Sequence, residues 1–186
     1  MPDEDAQLVQ RCLRGDERAI AALVERFQPA VYALCCRLLW NSHDAEDACQ
    51  EVFLRIFRSL KRWDSTRPLK PWIMGITVNR CRTWLAQRQR QPELAAYLQD
   101  IAPSRETAND AAELAREIQA AVATLRWEYR TAFVLFHEQG QAYVDIAEAM
   151  DKPPGTIKTW LHRARLEILE YLRQRGMVER VGDELP

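Results

Sequence analysis

Apolar residues recur along this chain at the spacing of one helical face, interrupted only where proline or a polar cluster intervenes. Asp5 to Arg14 predicts a short helix, and Asp16 opens a longer one through Phe27, Tyr32 and Leu38, with Pro29 placed to kink it. Asn41-Ser42-His43 breaks the period. Ser42 is then a good cap for a third helix, whose opening acids Asp44, Glu46 and Asp47 suit a helix N-terminus. That helix runs to about Leu60. Trp63 to Pro71 reads as a loop, and Pro71 starts a fourth helix ending in Arg88-Gln89-Arg90. Gln91 to Asn109 turns polar and loses its period, as a tether does, with room for some helix around Leu94 to Leu98.

Beyond the tether the pattern sharpens. Tyr143 to Met150 predicts a short helix burying Ile146, Ala147 and Met150. Asp151-Lys152-Pro153-Pro154 cannot continue it, but the prolines suit the first turn of a following helix. On that helix Ile157, Leu161, Ala164, Ile168 and Leu172 fall on one side, and Lys158, Thr159, His162 and Arg163 on the other. This is the geometry of a helix-turn-helix whose second helix enters a DNA major groove. An ordinary helical hairpin with a solvated basic face has the same pattern.

The expected fold is therefore all-α: two small helical domains joined by a flexible linker, with the chain divided as 1–91, 92–110, 111–175 and a tail at 176–186. Few glycines and much Ala, Leu, Arg, Glu and Gln agree with that. No run approaches a membrane span, and the acidic start is unlike a signal peptide, so no membrane insertion and a cytoplasmic protein are expected. The five cysteines, Cys12, Cys35, Cys36, Cys49 and Cys81, form no CxxC pair and mostly lie on apolar faces, as buried reduced thiols do. A set of Cys35, Cys36, His43 and Cys49 matches no common zinc spacing. With no phosphate loop, nucleophile–base set or metal box, we expect no catalytic residue, metal or cofactor.

Charge changes the picture through its distribution. The net value is −1, yet Arg55 to Arg90 holds ten basic residues against Asp64 alone. Lys152 to Arg175 holds six against two acids, and the intervening Gln91 to Ile118 holds six acids against two arginines. Two basic blocks flanking an acidic stretch suit two surfaces on one polyanion. The third helix has a buried sector of Ala45, Cys49, Val52, Phe53, Ile56 and Leu60. Its polar face of Asp44, Asp47, Glu51, Arg55, Arg58 and Arg62 surrounds Leu54, which is either an ordinary exposed leucine or a protein-docking anchor. The fourth helix interleaves Trp72, Ile76 and Trp84 with Asn79, Arg80 and Arg82, a mixture of core and a surface for unpaired bases.

The order of DAEDACQEVFLRIFRSLKRWD, PWIMGITVNRCRTWL and LRWEYRTAFVLFHEQGQAYVDIAEAMDKPPGTIKTWLHRAR resembles bacterial sigma factors of the extracytoplasmic-function group, across about Asp5–Arg90 and Glu113–Arg175. The resemblance implies a non-enzymatic specificity subunit for transcription initiation, often serving stress responses. Its implied partners are core RNA polymerase (the clamp helices of the largest subunit, and the flap), promoter DNA and an anti-sigma factor. It implies that Asp47, Gln50, Glu51, Leu54, Arg55 and Arg58 dock on polymerase. Arg62, Trp63, Lys70, Trp72, Asn79, Arg80, Arg82 and Thr83 would take the melted −10 strand. Lys158, Thr159, His162 and Arg163 would face the −35 groove, with Thr156 and Arg165 on phosphates. Departures from the family pattern are Asp151 and Lys152 in the turn, Trp160 for a usual arginine, and Gln141 at a usually apolar site. Gly75 stands for a usual basic or aromatic residue, which is expected to loosen the helix and thin the −10-facing charge. A two-domain regulator that never docks on polymerase is the alternative, and a helical adaptor a third reading.

Overall fold

Asp16, poised in the sequence to start a helix, does so: its carboxylate accepts from the N–H groups of Arg18 and Ala19. A computed structural model describes residues 2–89 and 110–177, with helices as the regular structure of those residues. The residues assigned to the linker therefore lie, except for Asp110, outside the described part. Helix α1 (Pro2–Leu13) packs on α2 (Glu17–Leu39), which continues past Pro29 without a break and buries Leu23, Phe27, Val31, Leu34 and Leu38 along one stripe. By length and composition α2 could cross a bilayer; here it is the central helix of a bundle.

Helix α3 (Ser42–Ser59) is capped by Asn41, not by Ser42 as the sequence suggested. Asn41 has the extended backbone a cap needs, and its Oδ1 accepts from the Asp44 N–H at 2.9 Å. A 3₁₀ turn at Leu60–Arg62 then leads to Trp63. Helix α4 (Leu69–Gln89) starts two residues before Pro71, a second departure from expectation. Pro71 falls within the first turn, where its missing N–H has no helical partner to lose. The Leu69 N–H instead finds the buried Asp5 carboxylate at 3.3 Å, which Arg26 neutralises at 2.8 Å. Leu34, Leu38, Ile56, Leu60, Ile73 and Met74 are fully buried between α2, α3 and α4. Burying each contributes about 1.5–3 kcal/mol relative to exposure.

The second group of helices comprises α5 (Asp110–Thr124), α6 (Trp127–Phe133), α7 (Tyr143–Met150) and α8 (Pro154–Gln174), with a π-helical turn at Val134–Glu138 after α6. Asp151 takes the left-handed conformation at φ 53°, so that its N–H and that of Lys152 return to Glu148 and Ala147. That closes α7 as a glycine would. Pro153 and Pro154 open α8, and the predicted five-residue stripe from Ile157 to Leu172 is buried in full. Gln141 is buried as well, its side-chain amide without a hydrogen-bond partner.

The two groups touch. Helix α7 lies on α4, and the Cα of Ala149 comes so near Gly75 that a Cβ there would stand 3.4 Å from it.

Candidate nucleic-acid interfaces

Because the apolar stripe of α8 takes the inner side, the helix presents Lys158, Thr159 and His162 to solvent. Thr159 returns its hydroxyl to the Gly155 carbonyl at 3.0 Å, which leaves its oxygen able to accept. Arg163 is exposed, but its guanidinium donates to the Tyr129 hydroxyl on α6 at 3.2 Å, a bond that raises its pKa. Arg165 flanks the other side against His137, at 3.3 Å, and stacks over Phe136. Burial, and secondarily the Arg165 charge, hold His137 below its ordinary pKa, so the ring accepts from arginine as the neutral form. Thr156 is half-buried at the helix start. Leu166, half-exposed, completes the outer face with Thr159 and His162. Leu166 is absent from the residues the family resemblance singles out, although it lies seven positions after Thr159 and four after His162.

On α4, Trp72, Gly75, Ile76, Asn79 and Thr83 share one face at helical spacing. Asn79 is exposed and organised: its Oδ1 accepts from Arg82 at 3.0 Å and its carbonyl from the Thr83 hydroxyl at 2.8 Å. Trp72, Ile76 and Trp84 are half-buried. The loop before α4 is pinned by Asp64, which accepts from both the N–H and the hydroxyl of Thr66 and is thereby held below the usual carboxylate pKa. Trp63 is buried behind this loop and Arg62 is exposed. Lys70 is half-buried, its ammonium on the Gln139 carbonyl at 2.7 Å. Arg62, Trp63, Asp64, Trp72, Ile76 and Asn79 line one side of a cleft of about 360 Å³.

Arg80 is elsewhere. It shares the α4 sector of Ile73 and Thr77, is 5% exposed, and grips Glu51 on α3 through two contacts of 2.7 and 2.8 Å. Its guanidinium also stacks on Trp84 at 4.6 Å. It thus stands inside the bundle, apart from the surface of Asn79, Arg82 and Thr83. Asp47, Gln50, Leu54, Arg55 and Arg58 are exposed on α3 with Glu51 half-buried beside them, and Leu54, Arg55 and Arg58 line a second groove with Asn79, Arg80 and Thr83 of α4. Leu54 is 55% exposed. The Glu51–Arg80 pair therefore joins the α3 patch to the base of the α4 face.

All five cysteines are free. Cys35 and Cys81 are buried with their sulfurs 3.8 Å apart, and that contact together with burial drives the Cys35 thiol strongly upward. Burial pushes Cys49 up to about 11. Such thiols are poor nucleophiles at neutral pH. Among the described residues no group of three or more His, Cys, Asp or Glu is arranged to hold a metal ion.

Family models for Sigma-70 region 2 and Sigma-70 region 4 match residues 23–91 and 115–168. The chain is 31% identical to the ECF RNA polymerase sigma factor SigW of Bacillus subtilis, covering 89% of this chain and 95% of that one. It is also 31% identical to the RNA polymerase sigma-H factor of Pseudomonas aeruginosa, covering 92% and 95%. Among solved structures it is similar in fold to the sigma factor RpoE in complex with the anti-sigma factor NepR from Bartonella quintana (TM-score 0.69, 24% identity, 82% of this chain and 96% of that one). CnrH in complex with the cytosolic domain of CnrY is similar too (TM-score 0.66, 21% identity, 90% and 96%).

Proposed function

The chain belongs to the extracytoplasmic-function group of the sigma-70 family, a non-enzymatic class that directs core RNA polymerase to promoters, and on that premise we propose how its surfaces divide the work. The first domain, residues 1–91, docks on polymerase and takes the −10 strand, while the second, residues 111–175, reads the −35 duplex. On α8, Lys158, Thr159, His162 and Arg163 meet base edges, and Thr156 and Arg165 hold phosphates. The α4 face of Trp72, Asn79, Arg82 and Thr83 captures unpaired bases, with Trp63 backing the loop that walls the cleft and Arg62 and Lys70 on the backbone. Arg80 positions this face through Glu51 rather than touching DNA. Melting costs about 1.4 kcal/mol per step, which captured bases at about 1–3 kcal/mol each can offset.

The observation that carries this reading is the adjacency of two surfaces. The Leu54 patch on α3 and the Asn79 face on α4 line one groove, with the Glu51–Arg80 pair at its floor. Docking on the clamp helices of the largest subunit would set the strand surface beside the melted DNA, and the second domain would reach the flap. A regulator without polymerase has no use for the Leu54 patch. The chain works in the bacterial cytoplasm, and an anti-sigma factor of the kind bound to its structural neighbours is its expected inhibitor.

Reconstitution with core polymerase on a promoter library tests this. We expect Leu54→Ala to weaken core binding about tenfold, or about 1.4 kcal/mol, and to leave −35 duplex binding by the full chain unchanged. Equal loss of both would remove Leu54 from the docking surface.

A further inference from the structure

Helix α7 of the second domain packs over the Gly75 end of the α4 face assigned above to the −10 strand and walls the cleft beside it, while Asn79 and Thr83 stay exposed. Gly75 lies in the middle of that face, between Trp72, Ile76 and Asn79, and a Cβ there would stand 3.4 Å from the Cα and 3.6 Å from the Cβ of Ala149 on α7. A methyl there would already be in van der Waals contact with the α7 backbone, so a branched or longer side chain crowds the approach of the two helices. The missing side chain, expected from sequence only to loosen the helix, is what lets α7 lie on α4.

The charges follow the same line. Asp145 and Glu148 of α7 form the far wall of the cleft that Arg62, Trp63 and Trp72 line from the first domain. Glu148 reaches Arg67 at 2.6 Å. Lys70, next to the loop, spends its ammonium on the Gln139 carbonyl, and Arg37 pairs with Glu138 at 2.9 Å. Three cations of the first domain are thus engaged by carboxylate or carbonyl oxygens of the second. Carboxylates along a basic, tryptophan-lined cleft are placed where phosphates of a single strand would run.

We propose that α7 is a built-in substitute for the promoter strand, and that the free factor is self-blocked: its −10 surface opens only when the second domain lifts away. This rests on the assignment of that surface to the −10 strand. The latch is light by construction. Arg67 and Glu148 are both more than half exposed, and an exposed ion pair contributes little. A partner that binds only the open form, as polymerase with both domains spread on a promoter does, can therefore shift the balance.

The test uses the full-length chain, small-angle scattering, and a fluorescein-labelled pool of random 12-nucleotide single-stranded DNA at low salt. Gly75→Leu obstructs closure without adding charge, Glu148→Gln releases the latch, and Gly75→Ala is a control that the geometry accommodates. We expect Gly75→Leu to enlarge the radius of gyration and to bind the pool at least fivefold more tightly, Glu148→Gln to move both in the same direction by about twofold, and Gly75→Ala to resemble the parent. A parent already as expanded as Gly75→Leu, or expansion in both variants without tighter binding, would overturn the proposal. Asn79→Ala in the Gly75→Leu background separates the two claims. If Asn79→Ala weakens binding of an open chain that shows no gain over the parent, occlusion alone fails; if it has no effect, the strand assignment itself fails and the proposal with it.

Discussion

Helices α4 and α8 are equally long, both carry basic residues, and both are assigned to DNA, yet they are built in opposite ways. Helix α8 is one-sided: five buried residues on an inner stripe, and an outer face open to solvent. Helix α4 is enclosed by α2 and α3 on one side and α7 on another, burying Leu69, Ile73, Met74, Val78 and Cys81 together with Thr77 and Arg80. The difference follows from what each must read. A duplex offers its base edges in a groove that a rigid exposed helix can enter as it stands. An unpaired strand has to be held open, which calls for a stiff platform with aromatic walls and a means of keeping it from other polyanions. One reader is ready at once, the other only after a rearrangement.

The largest effect that would break this contrast lies in packing. Ile73→Ala should destabilise the first domain by about 2–5 kcal/mol, read by urea unfolding through tryptophan fluorescence, because Ile73 is fully buried in the three-helix core. A loss below 1 kcal/mol would mean that α4 is less enclosed than its contacts indicate. Next comes the open reader. Arg163→Ala should cost about 1–3 kcal/mol, concentrated at one base pair of the −35 site. A uniform loss across sequences would turn Arg163, braced as it is by Tyr129, into a phosphate contact.

The smallest effect concerns the bracing of α8 by His137. Its pKa is lowered in the fold, so the neutral ring is favoured, and that stability is complete above the ordinary value of 6.5 and lost as pH falls below it. The melting temperature of the second domain should therefore decline from about pH 7.5 to about pH 5.5 beyond what carboxylates explain, and His137→Gln should flatten that slope. A slope that Gln leaves untouched would place the effect elsewhere.

Much of this was legible before any coordinates. Periodicity and the Pro153-Pro154 pair located α7 and α8 and the buried stripe from Ile157 to Leu172, because a one-sided helix advertises its inner face. The errors arose where local signals compete or distant groups decide. Asn41 and Ser42 are both good caps, and only the backbone conformation chooses between them. The start of α4 depends on Asp5, 64 positions away in the chain, which supplies the acceptor for Leu69. Arg80 reads as surface among other arginines, and the carboxylate that draws it inward, Glu51, sits on another helix. Gly75 has a meaning only when Ala149, far along the chain, lies opposite.

Glycine at position 75 also makes the factor's quiet state a narrow genetic target. Every missense change at this residue installs a side chain, and of those one nucleotide away only alanine adds no more than the methyl that already touches Ala149. One missense change in this codon would bare the strand-facing surface of the free factor while leaving both the polymerase-facing patch and the target of a separate inhibitor untouched.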